Sequence, residues 1–327
     1  MRRVGQIQSA FRPKISVNMQ SRYRGALIGG AIGDSLGMPT EGLTRRQIIQ
    51  NFGPRIDKFL SKPNGRLLAG QWTDDTVLTM ATVDSLIKEH SLDPRGISIE
   101  FAKAYRAEES RGFGDTTKTA LRRIAKGVSW TKSGFSGPLS SGNGVAMRIA
   151  PIALFSYGDM EQLKRNCELI GRITHNDKEA LNGGLAIAYV MARILNNSFD
   201  RTTIVEDTAN FIAPSELSYF ISSISETLNE DISIEEALIK IGTGASVFET
   251  VSASLYLFLR FLGDFEESVV TAASYGGDTD TIGAIVGNLA GTYLGDTAIP
   301  DRWKAGVEQG RTILRKADSL YRLSHGI

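Results

Sequence analysis

The sequence predicts an all-α fold, a compact multi-helix domain, and three observations carry that reading. Apolar residues recur at helical spacing from Tyr23 to the end of the chain. Strand signals are scarce, with few alternating β-branched runs and no Asn-Gly turn joining two of them. No stretch reads as a linker long enough to divide the chain, so one domain is expected over residues 23–327. With 327 residues and 42% apolar content the composition suffices for a packed core. A formal charge of +1 gives no support for a general nucleic-acid binder. The single cysteine, Cys167, excludes an internal disulfide, and three histidines make no zinc-ligand pattern. A cytoplasmic setting is the default expectation, with no membrane span.

In chain order, residues 1–22 read as a basic, flexible extension holding Arg2, Arg3, Arg12, Lys14 and Arg22 and no acid. It lacks the apolar stretch of a secretory signal, and a transit peptide or a binding arm are the alternatives. Residues 25–37, GALIGGAIGDSLG, place Gly25, Gly29, Gly33 and Gly37 on one helical face. Asp34, set among apolar residues, reads as a hydrogen-bonded core acid. Glu41 follows in a Pro-Thr-Glu-Gly loop, as either a solvated acid or a site carboxylate. Residues 71–80, QWTDDTVLTM, put Thr73, Asp74, Asp75 and Thr76 at the start of an apolar-periodic helix. Asp115 sits in a loop after Gly-Phe-Gly, ahead of a helix over 120–125.

Residues 132–144 are rich in Gly and Ser and end in SSGNG. A Gly-rich loop opening a helix presents N–H groups to phosphates, although Gly-Asn-Gly alone is more often a plain turn. His175, in THND (174–177), reads in isolation as a capping or core histidine before a helix over 180–195. Further helices are expected over 202–241, and one over 247–262 that carries Phe248 and Glu249 near its start. A single amphipathic helix over 300–323 closes the chain.

The most unusual stretch is 275–295, YGGDTDTIGAIVGNLAGTYLG. Asp278 and Asp280 alternate with Thr279 and Thr281 ahead of an apolar run, again a helix start. Gly283, Gly287, Gly291 and Gly295 recur on one face, and each interior glycine costs about 1 kcal/mol against alanine. That pattern makes sense if another backbone approaches closely there, and the 25–37 helix is the matching partner. An EF-hand is excluded, because Ile282 and Leu289 occupy positions that need acids. If the two acid clusters meet in space, four carboxylates would repel one another unless cations join them. All-oxygen donors suit Mg²⁺ or Mn²⁺ rather than zinc.

The stretches GALIGGAIGDSLGMPTEG (25–42), GQWTDDT (70–76), SGNGVAMRIAPIAL (141–154), THND (174–177) and GGDTDTIGAIVGNLAG (276–291) together resemble the ADP-ribosylglycohydrolase family, the DraG-like hydrolases. Their order and spacing match from about Tyr23 onward, and the paired WTDDT and GGDTDTIG motifs are the specific part. The resemblance implies a central dinuclear site for two Mg²⁺ or Mn²⁺ ions. It implies metal ligands at Thr73, Asp74, Asp75, Asp278, Asp280 and Thr281. Glu41 matches the acid of a mobile loop beside the metals, and Ser141, Gly142, Asn143 and Gly144 a loop embracing phosphates and distal ribose. His175 matches a substrate contact, and Asp115 and Phe248 fall where some members meet the leaving group and the adenine.

The implied reaction is hydrolysis of the bond joining C1″ of ADP-ribose to a side chain of a modified protein, arginine being favoured, with Glu41 or Asp115 handling the water. Two other readings stand beside it. One is an immunity protein acting against an ADP-ribosylating toxin, with the basic arm as its docking element. The other is a non-catalytic ADP-ribose binder or structural descendant of the fold.

Overall fold

Two helices that could not approach so closely with any other residue at their contact form the axis of the molecule. The computed structural model describes residues 17–137, 140–212 and 214–327. Helix α1 (Met19–Gly37) is opened by Asn18, whose side chain accepts from the Ser21 N–H at 2.7 Å. Residues 19–22 of the expected extension are thus the first turn of this helix, while residues 1–16 lie outside the described ones.

One short helix and two longer ones follow: α2 (Arg45–Phe52), α3 (Asp74–Glu89) and α4 (Pro94–Ala107). Next come α5 (Asp115–Ala125), α6 (Trp130–Ser133), α7 (Ala150–Ser156), α8 (Met160–Gly171) and α9 (Lys178–Leu195). The 202–241 region resolves into α10 (Ile204–Phe211), α11 (Glu216–Asn229) and α12 (Ile234–Ile241). The chain ends with α13 (Val247–Arg260), α14 (Phe265–Ser274), α15 (Thr279–Leu294), α16 (Asp301–Gly306) and α17 (Gly310–His325). No strand forms among the described residues, only isolated bridges such as Thr44 with Gly276 and Gly142 with Ser246.

Helices α1 and α15 run antiparallel with their glycine faces in register. A Cβ on Gly33 would lie 1.9 Å from the Gly283 carbonyl oxygen, one on Gly29 2.4 Å from that of Gly287, and one on Gly25 2.1 Å from that of Gly291. The propensity lost at each glycine is offset by dispersion contacts along two touching backbones. Antiparallel packing brings the C-terminal end of α1 to the N-terminal end of α15, where the Thr279 hydroxyl donates to the Gly37 carbonyl at 2.8 Å. Helix α9, apolar on most sides, packs against α7, α8, α13 and α15, and α17 covers α1 and α3.

Asp34 links this axis to α3. Its carboxylate accepts from the backbone N–H of Thr73 at 2.9 Å and of Thr76 at 3.1 Å, and from the Thr76 hydroxyl at 2.6 Å. Thr73 makes no side-chain capping bond of its own, so a residue of α1 caps α3. The core acid foreseen in the sequence is this cap. The closing helix differs from expectation, because it is broken between α16 and α17. Gln309 takes a left-handed φ of +55°, and the Glu308 N–H donates to the Gly70 carbonyl at 2.8 Å. Glu308 also pairs with Arg111 at 2.8 Å. These tertiary bonds override a continuous amphipathic pattern.

Candidate active site

The two acid-tipped helix starts open onto one cleft of about 210 Å³. Asp74 and Asp75 reach it from α3, and Asp278, Asp280 and Thr281 from the start of α15. Glu41, Asp115, Gly142, Asn143, Gly144 and His175 complete the part that the sequence singled out. A larger cavity of about 370 Å³, lined by residues such as Lys164, Arg172 and Leu181, lies elsewhere and gathers no such acids.

Local backbone chemistry sets the positions. Gly276 and Gly277 have φ of +88° and +83°, and a Cβ on Gly277 would lie 2.1 Å from the Thr243 carbonyl oxygen. Only glycine tolerates both the conformation and the approach. The turn is tied to the Glu41 loop, with the Gly42 N–H donating to the Gly277 carbonyl at 2.8 Å and the Gly277 N–H to the Leu43 carbonyl at 2.9 Å. Glu41 and Asp278 thus line the same cleft, and Lys62 holds the Glu41 carboxylate at 2.6 Å. Asp278 accepts from the Asn143 side chain at 2.6 Å, which joins the 141–144 loop to the acids.

The acids are buried close enough to feel one another. Burial, and then the charges of Asp34, Glu41 and Asp278, push the Asp74 carboxyl up to about 8. Asp75 is driven well above the carboxylate range by burial and by Asp34, Asp74 and Asp278. Asp280 is driven the same way by burial, Glu41, Asp278 and Asp75. One buried oxygen of Asp75, Oδ1, has no hydrogen-bond partner. Among the described residues no three acid, histidine or cysteine side chains are grouped so as to hold a metal ion as they stand. The donor chemistry nevertheless fits a hard cation: all-oxygen, anionic, and with an unpaired oxygen available.

The remaining sequence-selected residues take other places. Thr73 is buried behind the cleft, its hydroxyl between Asp34 at 2.9 Å and Asp75 at 3.1 Å. The Ser141 carbonyl accepts from the Val247 N–H at 3.0 Å, so Ser141 ties the loop to α13 without lining the cleft. Phe248 also lies outside the cleft lining and packs on Phe220, ring centroids 5.2 Å apart. Asp115 stands at the rim with its side chain fully exposed, 3.3 Å from Lys118 Nζ.

Arg148 was not foreseen. It is fully buried beneath the 141–144 loop, where it donates to the Gly144 carbonyl and to the Thr174 hydroxyl. Burial pushes its guanidinium down to about 9, against the pull of Asp74 and Asp75. Burial, and then Arg148, push His175 down to about 3, so its imidazole is neutral. The available signal was a single cation inside the apolar run VAMRIAPIAL, since a buried arginine needs fixed partners.

A family model described as ADP-ribosylglycohydrolase matches residues 16–326. An uncharacterised protein of Archaeoglobus fulgidus is 33% identical over 312 residues, covering 93% of this chain and 97% of its own length. The Homo sapiens ADP-ribosylhydrolase ARH3 is 26% identical over 343 residues, with 93% of each chain covered. A solved structure titled ADP-ribosylglycohydrolase-related protein complex superposes with a TM-score of 0.75 at 28% identity, covering 94% of this chain and 99% of that one.

Proposed function

This chain belongs to the ADP-ribosylglycohydrolase family, and from that premise we propose that it hydrolyses the bond joining C1″ of ADP-ribose to a protein side chain, with two Mg²⁺ or Mn²⁺ ions in the cleft. The observation that supports the reading best is the convergence of the α3 and α15 starts on one cleft, with buried acids whose like charges raise one another.

Asp74, Asp75, Asp278 and Asp280, with the hydroxyl of Thr281, would hold the ions, and the Thr73 hydroxyl would join them only by turning from Asp34. Bound there, divalent cations supply charge that fixes ribose hydroxyls and lowers the pKa of a water. Glu41 faces the acids and takes the water's proton, with Lys62 holding it in place. The water oxygen bonds to C1″ as the C1″ bond to the side chain breaks, and the proton ends on the leaving atom. The N–H groups of Gly142 and Gly144 and the imidazole of His175 line the side where phosphates and distal ribose would lie. Asp115, exposed at the rim, faces the departing side chain. A rim carboxylate suits a guanidinium, which keeps arginine as the expected linkage.

The test is release of ADP-ribose from arginine- and serine-modified peptides side by side, with Mg²⁺, with Mn²⁺ and with EDTA. Cation-dependent release from the arginine peptide is expected. Release from the serine peptide alone would move the linkage, and full activity in EDTA would remove the cations from the scheme.

A further inference from the structure

Arg148 is larger than a loop anchor needs to be, and its hydrogen bonds run in one direction. A guanidinium only donates. One terminal nitrogen donates to the Gly144 carbonyl and the other to the Thr174 hydroxyl oxygen. Nε has no partner, and the Phe101 ring lies 5.2 Å from the guanidinium carbon. Thr174 is wholly buried, so its hydroxyl proton needs an acceptor inside the protein. His175 Nδ1, at 2.8 Å, is that acceptor. An Nδ1 that accepts carries no proton, and a neutral imidazole then carries its proton on Nε2. No described residue pairs with Nε2, and the ring lines the cleft under the glycines of the loop. A Cβ on Gly144 would lie 2.6 Å from His175 Cε1 and 3.1 Å from Nε2.

We propose that Arg148 is a positioning residue that works through Thr174: it fixes His175 as the Nε2–H tautomer, so that the ring donates a hydrogen bond into the cleft. The same guanidinium holds the Gly144 carbonyl, which keeps the loop and the imidazole in register. The partner of Nε2–H is an acceptor oxygen of the ligand, a phosphate or ribose oxygen of ADP-ribose. That last identification rests on the proposed function, whereas the tautomer does not. Lysine cannot replace Arg148, because one ammonium cannot span both the loop carbonyl and the threonine hydroxyl.

The test labels the three histidines with ¹⁵N in the full chain and reads the protonation of each ring nitrogen from long-range ¹H–¹⁵N spectra. In the free protein His175 is expected to show a protonated Nε2 and a bare Nδ1. Thr174→Val is expected to shift it toward the Nδ1–H form and to weaken ADP-ribose binding about tenfold, the loss of one well-placed hydrogen bond. Thr174→Ser, which restores the hydroxyl, is expected to restore both readouts, and Arg148→Lys to behave like Thr174→Val. A wild-type His175 protonated on Nδ1 overturns the relay, as does a Thr174→Val protein with unchanged tautomer and affinity. Wild-type tautomer and affinity in Arg148→Lys would remove Arg148 from it. If the wild-type protein shows the Nε2–H form yet binds no ADP-ribose, the relay stands and the functional reading fails.

Discussion

Asp75 Oδ1 is buried without a partner, and Asp74, Asp75 and Asp280 are all held above the carboxylate range by burial and then by neighbouring acids, Asp278 among them in each case. Such an arrangement destabilises the folded chain unless something positive joins it. Asp280→Asn keeps the shape and removes one of the like charges. The variant is expected to melt no lower than wild type at pH 8 without cations, while turnover falls more than about a hundredfold. That bound follows because loss of a partner behind a metal ligand already costs 10–100-fold. Thermal melts and initial rates on the same preparation check both halves. A large drop in melting temperature would instead make Asp280 a structural acid. Asn143 acts one step behind these acids, donating to Asp278 at 2.6 Å and to the Thr250 hydroxyl at 2.9 Å.

At the scale of elements, two effects of opposite sign compete at the α1–α15 contact. Replacing glycine by alanine inside a helix gains about 1 kcal/mol of propensity. At Gly33, however, the new Cβ would lie 1.9 Å from a backbone oxygen that no rotamer change can move aside. Overpacking of that kind costs typically 1–3 kcal/mol or more, so sterics win. Gly33→Ala is expected to lose roughly 2 kcal/mol or more in urea denaturation, and to weaken cation binding because the helix tips part. Gly158→Ala, whose Cβ would meet nothing within 4 Å, is the near-neutral control. Asp34→Ala removes the cap that α1 supplies to α3 and leaves the Thr73 and Thr76 N–H groups buried and unmet. A loss of about 2–4 kcal/mol is expected in the same assay.

These element-level features also mark what could be read in advance. Glycines four apart and acids ahead of apolar runs are local signals, so the two axial helices and both acid tips were legible from the chain alone. The break at Gln309 was not, because it depends on Glu308 meeting Gly70 and Arg111 from far along the sequence. Nor was the use of Asp34 as the cap of another helix, or the burial of Arg148 under the loop it follows. Periodicity reports which face is inside, not which polar group it will find there.

For the molecule as a whole, pH and divalent cations should act on one balance. The Asp74 carboxyl, at about 8 in the folded chain, lies far above the unfolded value of about 3.9. The folded chain therefore keeps a proton that the unfolded chain releases. Stability from this source is intact below about pH 4 and is lost as pH rises to about 8, and Asp75 and Asp280 act in the same direction. Asp318 works oppositely: its bond to Arg24 holds it below the ordinary range, so its contribution is lost as acid protonates it. Without cations, the melting temperature is expected to peak in mildly acidic buffer and to fall between pH 6 and 8. Bound Mg²⁺ or Mn²⁺ would take the place of those protons, so stabilisation by cation should grow with pH. At a hundred times the dissociation constant it is worth about 2.7 kcal/mol, which for a chain of this size is roughly 4 °C. Calorimetry in two buffers of different ionisation enthalpy should register protons released on binding at pH 7, and fewer at pH 8.5. Cation binding with no proton release and no pH dependence would mean that the ions, if they bind, do so away from Asp74, Asp75 and Asp280.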